Sequence, residues 1–302
     1  MDEITLKALA KINLGLDVVR RREDGYHEVR MIMQTIHLYD LLEIQKIREP
    51  EIQIVSNLSF LPVNENNLVY KAARLLQEEF ALTDGISVKL TKRIPVAAGM
   101  AGGSTDAAAM LYAMNQLYDL GLSRRELMKR GVQIGADVPY CLMRGTALAE
   151  GIGEKLTQLP PMIKCPVLIA KPSISVSTKF VYQNLKLDEQ TNHPDIDALM
   201  KDIREKDFDG VCAHMGNVLE SVTIPNYPVI AEIKQQMMRS GAKASMMSGS
   251  GPTVFGLYTE KRQAQKARDQ IRSLGLARQV YVAGMQKNRR NKRNGKQFWS
   301  ED

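Results

Sequence analysis

The sequence predicts an α+β fold made of two halves. In some segments apolar and polar residues alternate, which is the period of a half-buried strand. In others apolar residues recur every three or four positions, as on one face of a helix. A pair of prolines, Pro160-Pro161, is typical of a boundary. We therefore assign residues 1–160 to an N-terminal domain, residues 161–285 to a C-terminal domain and residues 286–302 to a tail.

The N-terminal half starts with strands. From Ile12 to Val18 every second residue is apolar. Lys11 and Asn13 must then point together to the opposite face, which we expect to lie away from the core. A turn follows at residues 22–25. Further strands are predicted near residues 29–44, 52–58, 86–90 and 147–149.

Helices in this half are marked by their first residues. Asn66-Asn67 is typical of a helix start, and Ser123–Glu126 has the pattern of a capping box. Between them, a long helix with one apolar face is predicted over residues 107–121. The segment Gly135–Pro139 interrupts the helix that follows Ser123 and begins a short one.

The C-terminal half shows the same two periods. Strand and helix patterns follow one another without an internal repeat. Strands are predicted at residues 167–172, 244–247, 254–258 and 279–283, and helices at residues 178–187, 196–204, 229–240 and 260–274.

Composition excludes several classes of protein. The chain has 302 residues, of which 44% are hydrophobic and 25% charged, as in soluble globular proteins. It contains no run of about 18 apolar residues that would predict a membrane helix, and its acidic N-terminus lacks the apolar core of a signal peptide. Cys141, Cys165 and Cys212 have no metal-ligand spacing. We therefore expect a cytoplasmic protein with reduced thiols and no membrane partner.

Positive charge is concentrated in the tail. The formal net charge is +7, and residues 286–302 contribute +4 through six basic and two acidic side chains. This polar segment of low complexity is predicted to be disordered. A solubilising appendage is the simplest interpretation, and a weak contact with RNA or an anionic surface is the alternative. The body is nearly balanced in charge, so we expect no nucleic-acid partner.

A glycine-rich segment is the strongest functional signal. Small residues lead directly into the predicted long helix, where backbone N–H groups can approach an anion and the helix dipole favours negative charge. The spacing fits neither the Walker loop nor a dinucleotide fingerprint. The alternative is a flexible loop with Ser104 or Thr105 as the helix cap. The predicted phosphate-binding residues are Pro95, Val96, Ala97, Ala98, Gly99, Met100, Ala101, Gly102, Gly103, Ser104 and Thr105.

This segment and four others resemble the motifs of the GHMP kinases, which phosphorylate small molecules with ATP. A single match would be a weak signal, whereas five matches in the family's order are specific. The other four segments are Ala10-Lys11-Ile12-Asn13-Leu14, Asp24-Gly25-Tyr26-His27, Gly135-Ala136-Asp137-Val138-Pro139 and Ser248-Gly249-Ser250-Gly251-Pro252-Thr253.

The resemblance implies a two-domain GHMP kinase architecture. An N-terminal phosphate-loop domain and a smaller ferredoxin-like C-terminal domain would form the active site in the cleft between them, with ATP and Mg²⁺ as cofactors. The segment Asp24–His27 is most similar to the members that phosphorylate the 2-hydroxyl of a cytidine diphosphate-linked methylerythritol. Homoserine or mevalonate is the alternative acceptor. A non-catalytic protein that binds a nucleotide or RNA is the alternative from another class.

The resemblance also implies the catalytic residues. Asp137 matches the aspartate that accepts the proton of the substrate hydroxyl, and Lys11 matches the lysine that pairs with it and keeps it ionised. Ser104 would bind a phosphate or the Mg²⁺ ion. From the residues alone, Asp137 and Ser104 are more simply helix caps and Lys11 a surface lysine.

Residues for binding the acceptor are implied on both halves. Tyr26 and His27 match a pair that reads cytosine, and Tyr182 matches an aromatic on the other face of the base. Met33 stands where some members have a phenylalanine, and a methionine can also cover a ring. Without the resemblance, Tyr26 is more simply a half-buried aromatic of a strand and His27 a surface histidine, and a turn between two strands explains the second glycine-rich segment equally well. The remaining residues assigned to the acceptor are Asn13, Thr178, Gly249, Ser250 and Gly251, and those assigned to adenine or phosphates are Asn67 and Lys92.

Overall fold

The computed structural model of the protein describes residues 2–286. The basic residues of the predicted tail begin at Lys287 and lie outside the described residues. Gln286, assigned above to the tail, belongs to the body. Its N–H donates to the Thr35 carbonyl at 3.0 Å, and its carbonyl accepts from the Gln34 side chain at 3.1 Å. Within the described part of the chain, no helix has the length and apolar character needed to cross a membrane.

Both halves contain strands and helices. The strands are β1 (Glu3–Arg21), β2 (His27–Ile47), β3 (Ile52–Ser56), β4 (Gly85–Thr91), β5 (Thr146–Gly151), β6 (Lys155–Gln158), β7 (Pro166–Lys171), β8 (Gly216–Asn217), β9 (Ala244–Met247), β10 (Val254–Leu257) and β11 (Gln279–Gly284). The helices are α1 (Leu68–Glu79), α2 (Gly102–Leu117), α3 (Arg124–Ile134), α4 (Val138–Met143), α5 (Thr178–Asn184), α6 (Ile196–Glu205), α7 (Phe208–His214), α8 (Glu220–Asn226), α9 (Val229–Arg239) and α10 (Lys261–Ser273).

Two sheets organise these elements. The larger sheet has the order β3-β4-β2-β1-β8, and β5 joins it along β2 with β6 beyond. The smaller sheet has the antiparallel order β11-β7-β10-β9 and carries α9 and α10. The short strand β8 comes from the second half of the chain but pairs in parallel with Gly15 and Leu16 of β1. The halves are therefore joined through the larger sheet, and the predicted boundary near residue 160 does not separate two independent sheets.

Two irregularities in the pairing of β1 with β2 decide which side chains of β1 face the helices. The β1–β2 register shifts between Leu9 and Lys11 and again between Asn13 and Gly15. Each bulge reverses the direction in which the following side chains point. The apolar residues of β1 consequently change sides. Leu6, Ala8, Leu16 and Val18 belong to the core under α2, whereas Ala10, Ile12 and Leu14 belong to a second core shared with β7 and β10.

Lys11 and Asn13 therefore share one face, as the alternation predicts, but this face does not lie away from the core. It is covered by the helices of the first half, and the two residues are only 5% and 0% exposed. The Lys11 ammonium donates to the Asn13 side-chain oxygen at 2.8 Å. The surface interpretation of Lys11 is wrong because both faces of the strand are packed.

Helix α2 is the centre of the first core. It has one predicted apolar face, yet 12 of its 16 residues are buried. The run of alanines after Asp106 lets β1, β2, α1 and α4 approach this helix closely. Because most of α2 is packed against other elements, the position of its N-terminus is well fixed.

The element predictions are confirmed in most cases. The capping box at Ser123 and Glu126 is present. Each predicted strand and helix exists, most with ends shifted by a few residues, although β1 already begins at Glu3, well before the predicted alternation from Ile12. The cysteines are free thiols, as expected. The sequence did not indicate β6, β8, α7 or α8, which are short and lack a clear hydrophobic period.

Candidate active site

The glycine-rich segment forms a tight loop, here called the phosphate loop (residues 95–103), that ends in α2. The helix begins at Gly102, and its N-cap is Ala101 in the left-handed region (φ 56°) with no side-chain cap. The N–H groups of residues 102–104 have no acceptor one turn back in the helix and are free to bind an anion. Ser104 lies inside the first turn, so its interpretation as the N-cap is wrong.

Thr105 does not fit its predicted phosphate contact. Its N–H donates to the Ala101 carbonyl at 2.8 Å, and its side chain is fully buried toward the core. Neither donor of Thr105 faces the loop. The helix period explains the difference, because the residue after Ser104 is rotated by about 100° toward the core side.

A cavity of about 140 Å³ adjoins the phosphate loop. Asn67 lies at its wall, as predicted, but its amide is already engaged: it caps α1 through the Val69 N–H at 2.9 Å and donates to the Pro62 carbonyl at 2.7 Å. Contact of Asn67 with a nucleotide stays a prediction. The lining also includes Leu61, Asn66, Leu68, Lys92, Pro95, Val96, Ala97, Gly102, Gly103 and Asp106.

A buried ionic cluster lies beneath the phosphate loop, and we call it the loop network (Asp40, Lys92 and Asp106). The Lys92 ammonium donates to Asp106 at 2.6 Å and also to Asp40. The other Asp40 oxygen accepts the N–H groups of Arg93 and Ile94 at 2.5 and 2.8 Å. Lys92 thus lies beside the cavity, but its ammonium is held by two carboxylates.

The predicted catalytic residues also meet, and we call them the cleft pair (Lys11 and Asp137). The Lys11 ammonium lies 3.9 Å from the Asp137 carboxylate, whose side chain is 30% exposed. Asp137 has the N-cap position of α4 but makes no side-chain bond to that helix. The cap interpretation is therefore wrong, and the carboxylate remains free to accept a proton.

The turn that carries Asp137 also approaches the phosphate loop. A Cβ atom on Gly135 would lie 3.9 Å from the Ser104 hydroxyl. The first turn of α2 and the cleft pair are therefore neighbours. A phosphate bound at one and a hydroxyl bound at the other would share the same small space.

The second glycine-rich segment touches the first. The Ser248 hydroxyl donates to the Gly99 carbonyl at 2.9 Å. Gly99 has φ 70°, and a Cβ there would lie 2.1 Å from the Ser248 carbonyl oxygen. From the same segment, the Ser250 hydroxyl meets that of Thr178 at 2.8 Å. A Cβ on Gly249 would lie 3.7 Å from the Asn13 side chain. The structure thus brings four of the predicted acceptor residues to one wall of the cleft.

The aromatic residues are only partly assembled. The rings of His27 and Tyr182 are 5.1 Å apart and tilted by 43°. Burial, and secondly the charge of the Asp137 carboxylate, raise the pKa of Tyr182 to about 12. Tyr26 is 61% exposed, and Met33 is fully buried in the core. The expectation that Met33 covers a base is therefore wrong for this conformation, because β2 turns it under α2.

Two residues of this site were missed from the sequence. Asn217 on β8 donates to the carbonyls of Met247 and Gly249 at 2.9 and 2.8 Å, and Glu220 accepts the Met247 N–H at 2.7 Å. Both orient the second glycine-rich segment. No local signal marks them, because their partners lie about thirty residues away in the chain.

Comparisons with known proteins agree with this geometry. The model for the GHMP kinases N terminal domain matches residues 67–145, and that for the GHMP kinases C terminal domain matches residues 199–276. A 4-diphosphocytidyl-2-C-methyl-D-erythritol kinase of Lachnospira eligens is 60% identical, over 93% of this chain and 98% of the relative. One from Geobacillus sp. strain WCH70 is 50% identical over 92% and 96%.

Solved structures give the same answer. A crystal structure of 4-(cytidine 5'-diphospho)-2C-methyl-D-erythritol kinase has a TM-score of 0.81 and 30% identity, over 93% of this chain and 99% of that one. A homoserine kinase from Cytophaga hutchinsonii shares the fold with a TM-score of 0.77 at 22% identity, over 95% and 96%. The chain therefore belongs to the GHMP kinases and, within them, to the family of 4-diphosphocytidyl-2-C-methyl-D-erythritol kinases.

Proposed function

We propose that the protein transfers the γ-phosphoryl group of ATP to the 2-hydroxyl of 4-diphosphocytidyl-2-C-methyl-D-erythritol. The names of the relatives at 50–60% identity support this acceptor. The observation that carries the proposal is the cleft pair: a partly exposed carboxylate at a helix start that caps nothing and faces a buried lysine.

Phosphoryl transfer depends chiefly on positioning and charge compensation. The Asp137 carboxylate would accept the proton of the acceptor hydroxyl. The oxygen of that hydroxyl would bond to the γ-phosphorus while the bond between the γ-phosphorus and ADP breaks. The Lys11 ammonium, fixed by Asn13 at 2.8 Å, offsets charge on that carboxylate without approaching it closely. Because both residues of the lysine–asparagine contact are buried, their geometry is set before substrates bind.

The nucleotide would lie at the phosphate loop. The N–H groups of residues 102–104 would bind its phosphates, and the Ser104 hydroxyl projects toward the Gly135 turn. Mg²⁺, when bound, neutralises phosphate charge. No group of three or more acidic, histidine or cysteine side chains within residues 2–286 could hold a metal ion. An ion that enters with ATP could use the Ser104 hydroxyl in the first turn of α2 as a ligand, with a phosphate contact as the alternative role of this hydroxyl.

The cytidine end of the acceptor would lie at His27 and Tyr182. Their ring contact forms a wall next to the cleft pair, and the exposed Tyr26 can close over a base from the solvent side. Thr178, bonded to Ser250, would contact the same substrate. We also infer that this kinase acts in the cytoplasm and needs no nucleic-acid or membrane partner, a weak contact of the basic tail being the alternative.

A coupled assay of ADP release tests the proposal. The protein is supplied with ATP, Mg²⁺ and one of three acceptors: the cytidyl substrate, homoserine or mevalonate. We expect turnover with the cytidyl substrate alone. Turnover with homoserine or mevalonate instead would assign another GHMP activity. ATP binding without turnover on any of the three would favour the non-catalytic alternative.

A further inference from the structure

The loop network joins the two ends of the phosphate loop. Lys92 directly follows β4 and precedes the loop, whereas Asp106 belongs to the second turn of the helix that follows it. The ammonium of Lys92 is bonded to both Asp106 and Asp40. Because Asp40 also accepts the N–H groups of Arg93 and Ile94, it fixes the backbone that enters the loop.

The network is closed to solvent. The side chains of Lys92, Asp40 and Asp106 are 3%, 0% and 2% exposed. Burial by itself lowers the pKa of Lys92, but the two carboxylates outweigh it and raise that pKa, so the ammonium stays charged. If one member of a buried ion pair moves away, the partner left behind is a buried charge without compensation, which strongly destabilises the fold. Lys92 is therefore held in place and cannot extend into the cavity without leaving two carboxylates unpaired.

Gly102 makes room for this arrangement. A Cβ at that position would lie 3.3 Å from the Lys92 ammonium and 3.2 Å from Ile94. The first residue of α2 thus rests directly on the lysine. Any shift of the ammonium changes the position of the helix N-terminus, whose free N–H groups face the cavity.

On the basis of the ATP site proposed above, we infer that Lys92 is a positioning residue that clamps both ends of the phosphate loop through Asp40 and Asp106 and binds no phosphate itself. The positioning role and a direct phosphate contact of Lys92 predict opposite changes in ATP binding when the Asp106 carboxylate is removed. If the clamp orders the loop, removal of the Asp106 acceptor weakens ATP binding. If Lys92 were a direct phosphate ligand, removal of a competing carboxylate would free the ammonium and strengthen ATP binding.

Two variants of Asp106 separate these cases. Asp106→Leu removes the acceptor, and Asp106→Asn removes the charge but keeps an oxygen that accepts from Lys92. We expect the ATP KM to rise about tenfold in Asp106→Leu, as for a lost charged hydrogen bond, and to stay within about threefold in Asp106→Asn. The acceptor KM and the kcat at saturating ATP should change by less than about threefold in both.

Asp202→Leu is a matched control, because it removes a mostly buried carboxylate from α6, which lies in the other half of the chain. It should lower the unfolding temperature and leave the ATP KM unchanged. An ATP KM that falls in either Asp106 variant overturns the clamp, and so does a wild-type ATP KM in a folded Asp106→Leu protein. If Asp106→Leu does not fold, the near-isosteric Asp106→Asn alone decides by the direction of its ATP KM.

A fluorescent ATP analogue provides the separate check on the site itself. The wild-type protein should bind it and release it when unlabelled ATP is added. Failure of the wild type to bind would refute the proposed ATP site, whereas binding by the wild type with tighter binding by Asp106→Asn would refute the clamp alone.

Discussion

The cleft pair and the loop network use the same charged groups in opposite environments. In the cleft pair, one lysine faces one carboxylate at 3.9 Å, and 30% of that aspartate side chain is exposed. In the loop network, one lysine is bonded by two carboxylates, and none of the three side chains is more than 3% exposed. The carboxylate that we propose as the proton acceptor is partly exposed, whereas the two carboxylates that we propose to hold the loop bond a buried lysine and are sealed from water. The two sites contain the same residue types, so the roles that we propose for them differ through the lysine–carboxylate distance and the exposure of the side chains.

Substitution of Asp137 should produce the largest effect on catalysis. We expect Asp137→Asn to lower kcat by about 10²–10⁴-fold, the usual contribution of a general base. The ATP KM and the unfolding temperature should change little, because the carboxylate bonds no helix N–H and the phosphates would be bound by the N–H groups of residues 102–104. Steady-state kinetics and thermal unfolding measure both. A variant that retains more than about a tenth of wild-type kcat would show that Asp137 is not the general base.

Substitution of Lys92 should produce the largest effect on stability. Lys92→Met leaves two buried carboxylates without their cation and should lower the free energy of unfolding by about 3–5 kcal/mol. Lys11→Met is the matched control. Its aspartate partner reaches water, so we expect a loss of only about 1–2 kcal/mol, chiefly from the Asn13 oxygen left without a donor. Denaturant titration measures both losses, and equal losses would contradict the distinction between the two sites.

The alternation of apolar residues predicted most of the fold, because strand and helix periods are local properties of the chain. It also placed Lys11 and Asn13 on one face. It could not predict the two bulges that turn this face toward α2, since each bulge depends on how β2 pairs with β1. The loop network was missed for a related reason: its members come from β2, α2 and the residue after β4, and they meet only in the folded protein.

The candidate site was predictable where a motif carries its residues. The family resemblance indicated Asp137, Lys11 and the two glycine-rich segments, and the structure brings them together. The burial of Thr105 toward the core could not be predicted, because a motif does not show which side of a helix a residue faces. Asn217 was missed because a single asparagine on a two-residue strand has no pattern around it.

Substitution of Tyr182 or Tyr26 should have an intermediate effect, on the binding of the cytidyl substrate. It tests whether the aromatic residues bind the acceptor or only support packing. We expect Tyr182→Ala to raise the KM for the cytidyl substrate by about 5- to 150-fold, corresponding to about 1–3 kcal/mol of base stacking. Tyr26→Ala should act in the same direction without loss of stability, since Tyr26 is exposed. Phenylalanine at either position should restore binding. Equal weakening of ATP and the cytidyl substrate would instead show that the rings only support packing.

A pair formed by an exposed histidine and a mostly buried aspartate should show the smallest effect. His214 is bonded to Asp202 at 2.6 Å, and this hydrogen bond raises the pKa of the imidazole above its ordinary value of 6.5. A raised pKa means stabilisation that is complete below the ordinary value and lost as pH rises through the shifted one. Wild type should therefore exceed His214→Gln in stability at low pH and match it at high pH. A pH-independent difference in unfolding temperature would contradict this pairing.

The contact at Gly99 has a consequence for how this enzyme can be recombined. Its backbone lies so close to Ser248 that no side chain fits between the two glycine-rich segments. The backbone of the first half at Gly99 is therefore packed directly against the turn of the second half at Ser248. When one half is exchanged for that of a relative, this contact is kept only if the new half has a backbone of the same shape at its side of the contact. The two segments must therefore stay compatible with each other although about 150 residues separate them in the chain.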